Sequence, residues 1–130
     1  MRIGLISEQS KRELMQNFSV AYKLLLAKHT LYATGVTARK IEEASSLKVN
    51  SFLPGEMGGI MQMVSLIERE ELDAVIFLYT PGVMLEAEKE YLWRILHLCD
   101  QYCIPLATNI ASAEILILGI ENGDLSWKET

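Results

Sequence analysis

The chain has 130 residues, half of them hydrophobic, with 17 acidic against 12 basic side chains and a formal charge of −5. That length fits one domain, and the apolar half excludes a disordered chain. The acidic balance excludes a broad nucleic-acid-binding face, which needs clustered cations, but leaves room for a local anion site.

Ile3 to Ile6 reads as a buried strand. A helix follows from Ser10 to about Lys28, because Leu14, Phe18, Ala21, Tyr22 and Leu25 recur at helical spacing. Ser10 is its expected N-cap and Glu13 the capping-box partner. Leu31 to Ala33 is the second strand, Thr34 to Thr37 a turn, and Thr37 to Ser45 a helix. Val49 to Leu53 reads as a third strand, followed by a loop rich in breakers, Pro54-Gly55-Glu56-Met57-Gly58-Gly59. The next helix runs to about Glu70. The wholly apolar Ala74 to Leu78 then suits a central parallel strand buried on both faces. After Thr80-Pro81-Gly82 a helix is expected from Glu86 to Tyr102, a short strand from Ile104 to Thr108, and a last helix from Ala113 to Leu118.

Five alternations of strand and helix predict an α/β fold: one three-layer domain, a parallel five-stranded sheet with helices on both faces. The expected division is a domain over residues 1–120 and a polar tail over 121–130. Ligands of such sheets bind beyond the carboxyl ends of the strands, here near Ser7, Thr34, Pro54, Thr80 and Thr108.

Cys99 and Cys103, four apart on the expected helix, read as two buried thiols in a reducing compartment. Only His97 lies near them, so neither a metal nor a cofactor is expected. His29 stands at a helix end, where a cation is favoured, and reads as structural. The opening segment has too short an apolar run for a secretory leader, and no stretch reaches the roughly 18 apolar residues of a membrane span. The expectation is a cytoplasmic protein without membrane or nucleic-acid partners.

Three segments carry a family resemblance. Leu31-Tyr32-Ala33-Thr34-Gly35-Val36-Thr37, the loop Pro54-Gly55-Glu56-Met57-Gly58-Gly59, and Ile104-Pro105-Leu106-Ala107-Thr108-Asn109 resemble, in that order, motifs of the methylglyoxal synthase family. The likeness spans residues 2 to 119. The family converts dihydroxyacetone phosphate to methylglyoxal and phosphate by removing a carbon-bound proton and expelling phosphate from the enediolate. It assembles as a homohexamer, so the resemblance implies a homo-oligomer here. It also implies a phosphate cradle of Lys11, Thr34, Gly35, Thr37 and Gly55. Hydroxyls and helix-start N–H groups suit an anion.

The same resemblance finds the acid-base positions changed. The family's aspartate after the two loop glycines is Ile60, its histidine at the end of the first strand is Ser7, and the neighbouring aspartate is Glu8. The aspartate before Pro81 is Thr80, and the family's histidine and aspartate after that turn have no clear counterpart where Ala87, Glu88, Glu90 and Tyr91 fall. Glu8 and Glu56 are the candidate catalytic substitutes. Three readings follow: a degenerate relative that binds a small phosphorylated or anionic ligand, an active synthase with a relocated acid, and a structural subunit of a mixed oligomer.

Overall fold

A computed structural model describes residues 1–53 and 58–123. Among them the chain forms β1 (Arg2–Ser7), a 3-10 turn (Gln9–Lys11), α1 (Arg12–Ala21), α2 (Lys23–Leu26), β2 (Thr30–Ala33), α3 (Gly35–Ser45) and β3 (Asn50–Ser51). It continues with α4 (Gly59–Glu68), β4 (Ala74–Leu78), α5 (Glu86–Gln101), β5 (Leu106–Ala107) and α6 (Ile110–Asn122). The five strands make one sheet in the order β3-β2-β1-β4-β5, with every pairing parallel. The expected α/β architecture is present.

Strand alternation divides the core in two. Ile3 and Leu5 of β1 and Ala74, Ile76 and Leu78 of β4 face a cluster completed by Met15 and Phe18 of α1, Ile41 of α3 and Ile117 of α6. Ile6, Val75 and Phe77 face the other side, against Ile60, Met63 and Ile67 of α4 and Ile95 and Cys99 of α5. Each strand residue therefore buries on one helix layer or the other. This is why the central strands are apolar without interruption.

Several local expectations change. The first helix does not begin with Ser10 as its cap. A 3-10 turn precedes it, capped by Glu8, which accepts the Ser10 N–H at 2.8 Å, and α1 itself starts after Lys11 without a side-chain cap. The helix also breaks at Tyr22, whose φ/ψ of −110°/24° is not helical. The second helix starts at Gly35 rather than Thr37, with Thr34 extended before it. β3 and β5 shrink to two residues each, paired with Tyr32 and Ala33 of β2 and with Val75 and Ile76 of β4. The last helix is longer than expected. Asn109 caps it by accepting the Ser112 N–H at 2.9 Å, and Gly123 closes it with φ 73°. The helix runs through Asn122. Residues 124–130 of the predicted tail lie outside the described residues.

Cys103 is a further correction. It is exposed, whereas Cys99 is buried. α5 ends at Gln101, and Cys103 sits beyond it with φ 54°, off the helix face that carries Cys99.

Candidate functional site

The strand order sets the site. From β1 the chain moves outward to β2 and β3, then crosses back to β4 on the opposite side of β1. The connections leaving β1 and β4 therefore diverge, opening a crevice beyond their carboxyl ends. A cleft of about 390 Å³ lies there. The end of β1 supplies Ile6, Ser7 and Glu8, and β4 supplies Phe77. Thr34 and Val36 come from the start of α3, Arg12 from α1 and Ile60 from α4. Leu85, Ala87, Glu88 and Tyr91 come from the start of α5.

Arg12, not the expected Lys11, is the cation at the cleft. The 3-10 turn ends at Lys11, so α1 opens on Arg12, and successive helix residues point about 100° apart. Two adjacent cations at a predicted helix start leave this choice to the local winding. The Arg12 Nε is buried and has no hydrogen-bond partner. A buried donor without an acceptor is costly, and the residue's positive charge gives the cleft lining its cation.

Thr34 is buried and lines the cleft. Thr37 does not line it: its hydroxyl is buried and shares a 3.1 Å hydrogen bond with Ser7 Oγ. That bond ties the end of β1 to α3. Gly35 donates its N–H to the Leu53 carbonyl at 3.3 Å and is not part of the wall. Of the expected cradle, then, Thr34 faces the cleft, while Thr37 and Gly35 support the loop behind it. Gly55 and Glu56 lie outside the described residues.

Glu8 lines the cleft but is held in place. Its carboxylate accepts the Ser10 N–H, the Ser10 hydroxyl and, at 3.2 Å, the Thr80 N–H. Ser10 and Thr80 hydroxyls share a further bond of 2.7 Å. Burial raises the Glu8 pKa, but the hydrogen bonds from Ser10 and Thr80 together outweigh it, and the carboxyl sits below its ordinary 4.5. Glu88, the other described carboxylate on the wall, accepts the Leu85 N–H at 3.0 Å at the start of α5. Glu90 is exposed and not part of the wall. Ile60, only 9% exposed, presents a hydrocarbon surface where the resemblance expects an aspartate.

Among the described residues no three His, Cys, Asp or Glu side chains group so as to hold a metal ion. None of their helices is long and apolar enough to cross a membrane. His97 is exposed beside Trp93, ring centroids 5.9 Å apart, on the surface of α5.

Residues 16–108 match the model of the MGS-like domain family. The chain is 52% identical to a methylglyoxal synthase of Caldicellulosiruptor saccharolyticus over 99% of its own length and 91% of that protein. It is 46% identical to the methylglyoxal synthase of a Thermoanaerobacter species, covering 99% of this chain and 97% of that one. The crystal structure of methylglyoxal synthase from Elizabethkingia anophelis superposes with a TM-score of 0.78 at 27% identity, over 89% of this chain and 76% of that one. With the family model matched over residues 16–108 and relatives 52% and 46% identical along 99% of its length, this chain belongs to the methylglyoxal synthase-like family.

Proposed function

We propose that this chain is a methylglyoxal synthase-like protein that binds a small phosphorylated or anionic ligand in the cleft without turning it over. The observation that carries the reading is Ile60 in the cleft wall. Removing a carbon-bound proton needs a base within about 3.2 Å, or one water, of that proton, and an isoleucine offers none. The described carboxylates on the wall do not replace it freely. Glu8 is bound by three donors and Glu88 by a helix-start N–H. A carboxylate held below its ordinary pKa is also a weaker base. The anion half of the reading rests on Arg12 and Thr34, a cation and a hydroxyl that both line the cleft. Lys11, Gly35 and Thr37 would complete the cradle indirectly, with Gly55 as the resemblance implies.

An active synthase is the second reading. It is favoured by relatives of that name at 52% and 46% identity, and by an ionised Glu8 at the cleft. In either reading we expect a homohexamer, as the resemblance implies, with exposed apolar side chains such as Leu24 and Ile115 covered between subunits.

Turnover of dihydroxyacetone phosphate by the purified protein, followed as methylglyoxal, separates the two. The expected result is none from the unmodified chain and measurable activity from Ile60→Asp. Turnover by the unmodified chain would overturn the first reading. In that case Glu8→Gln is expected to lower the rate by about 10²-fold or more.

A further inference from the structure

The cleft wall is chemically mixed. Arg12 comes from α1 and Thr34 from the start of α3, two helices that pack on each other, and they supply a cation and a hydroxyl. Ile6, Ile60 and Phe77, with Tyr91 of α5 packed against them, form an apolar part of the lining, while the carboxylates Glu8 and Glu88 on the wall are each engaged by backbone N–H donors. Ile6, Ile60 and Phe77 are buried members of the core on this face, so the apolar wall is set by packing and does not have to form around a ligand. The volume, about 390 Å³, falls within the range of roughly 300–1,000 Å³ found for pockets that enclose sizeable organic ligands. A three-carbon phosphate leaves part of it unfilled. Such a ligand would also turn hydroxyl and carbonyl groups toward hydrocarbon, where they lose hydrogen bonds to water without replacement. An aromatic or branched apolar substituent loses nothing there and gains by leaving water.

Resting on the anion-binding reading above, we propose that the ligand class is a phosphate monoester of an apolar alcohol, aromatic by preference. Its phosphate would lie at Arg12 and Thr34, and its apolar body against Ile6, Ile60, Phe77 and Tyr91. Replacing an acid by Ile60 then does more than remove a base: it changes which esters the cleft prefers. A charged side chain at that position disfavours an apolar ring, whereas an isoleucine accepts it.

Calorimetric titration of the full chain with inorganic phosphate, dihydroxyacetone phosphate and phenyl phosphate tests this. Phenyl phosphate is expected to bind about tenfold tighter than either of the others, the order of discrimination that a few apolar contacts supply. Arg12→Met is expected to weaken all three, and Ile60→Asp to abolish the preference for the aryl ester. The comparison on the unmodified chain stands even where Ile60→Asp does not fold, which circular dichroism reports. If all three bind through Arg12 but phenyl phosphate is no tighter than dihydroxyacetone phosphate, the ligand-class proposal fails while the anion-binding reading survives. A preference that a folded Ile60→Asp leaves unchanged puts the ring elsewhere and also overturns the proposal. Binding of none of the three overturns both.

Discussion

At the scale of single residues, burial and local partners decide behaviour that residue type alone does not. The two cysteines are the clearest pair. Burial, with the charge of Asp100 adding to it, pushes the Cys99 thiol up to about 12, so almost no thiolate exists at neutral pH. Cys103 is exposed. Alkylation of the native protein at neutral pH, read by mass spectrometry, is expected to label Cys103 alone, with Cys99 reacting only after denaturant is added. His29 behaves differently from a cation at a helix end. Its Nδ1 is 3.1 Å from the Met1 amino nitrogen and accepts from it, and its Nε2 is buried without a partner. Burial, then the positive N-terminus and Lys28, lower its pKa from 6.5, against the opposing pull of Glu121 and Asp73. The unfolded chain therefore takes up a proton that the folded protein resists. The stability tied to neutral His29 is whole above pH 6.5 and is lost as pH falls from there toward the lowered value. Urea midpoints measured on the two sides of pH 6.5 should fall on the acid side, and His29→Gln should flatten that step. Glu8 acts in the same direction in a lower window, its contribution lost as pH falls below 4.5.

At the scale of elements, the ends matter more than the middles. α6 is held at its start by Asn109, whose Oδ1 accepts the Ser112 N–H at 2.9 Å. Asn109→Ala removes that acceptor and is expected to destabilise the protein by about 1 kcal/mol, seen as a lower denaturant midpoint with an unchanged slope. An unchanged midpoint would mean that water replaces the cap without loss. Element interiors were legible from sequence where the signal was strong. β4 has the bounds read from its apolar run, Ala74 to Leu78, because a strand buried on both faces has no polar position to blur it. α5 begins at Glu86 as expected and ends at Gln101, one residue before the expected Tyr102. The misread ends have physical causes. The 3-10 turn after β1 moves the helix start by two residues, and Tyr22 breaks the helix although its side chain fits the apolar stripe. The edge strands pair over two residues each, fewer than their runs suggest, because a strand at a sheet edge has one neighbour to hold it.

At the scale of the whole molecule, the sheet order gathers residues from two strands and four α-helices into one cleft, and the surface keeps large apolar side chains in water. Leu24 is 81% exposed and Ile115 74% exposed. For the proposed hexamer, sedimentation velocity is expected to give about six times the chain mass, and Ile115→Glu to shift the protein to smaller species if that residue is covered. A monomer at the same concentration would sink the oligomer expectation.

Sequence alone determined the class of fold, the two buried faces and the family, because apolar periodicity and short motifs are local records of burial and turn geometry. It also located Ile60, whose meaning depends only on its place in a motif. The tertiary structure decided which neighbours share the cleft. It chose Arg12 over Lys11, set Thr37 on Ser7 rather than toward a ligand, and tied Glu8 to Ser10 and Thr80. Those outcomes depend on helix winding and on contacts between residues as far apart as Glu8 and Thr80. A linear pattern carries no angle and no distance between such residues. Only the folded sheet, by fixing where β1, β2 and β4 end, supplies them.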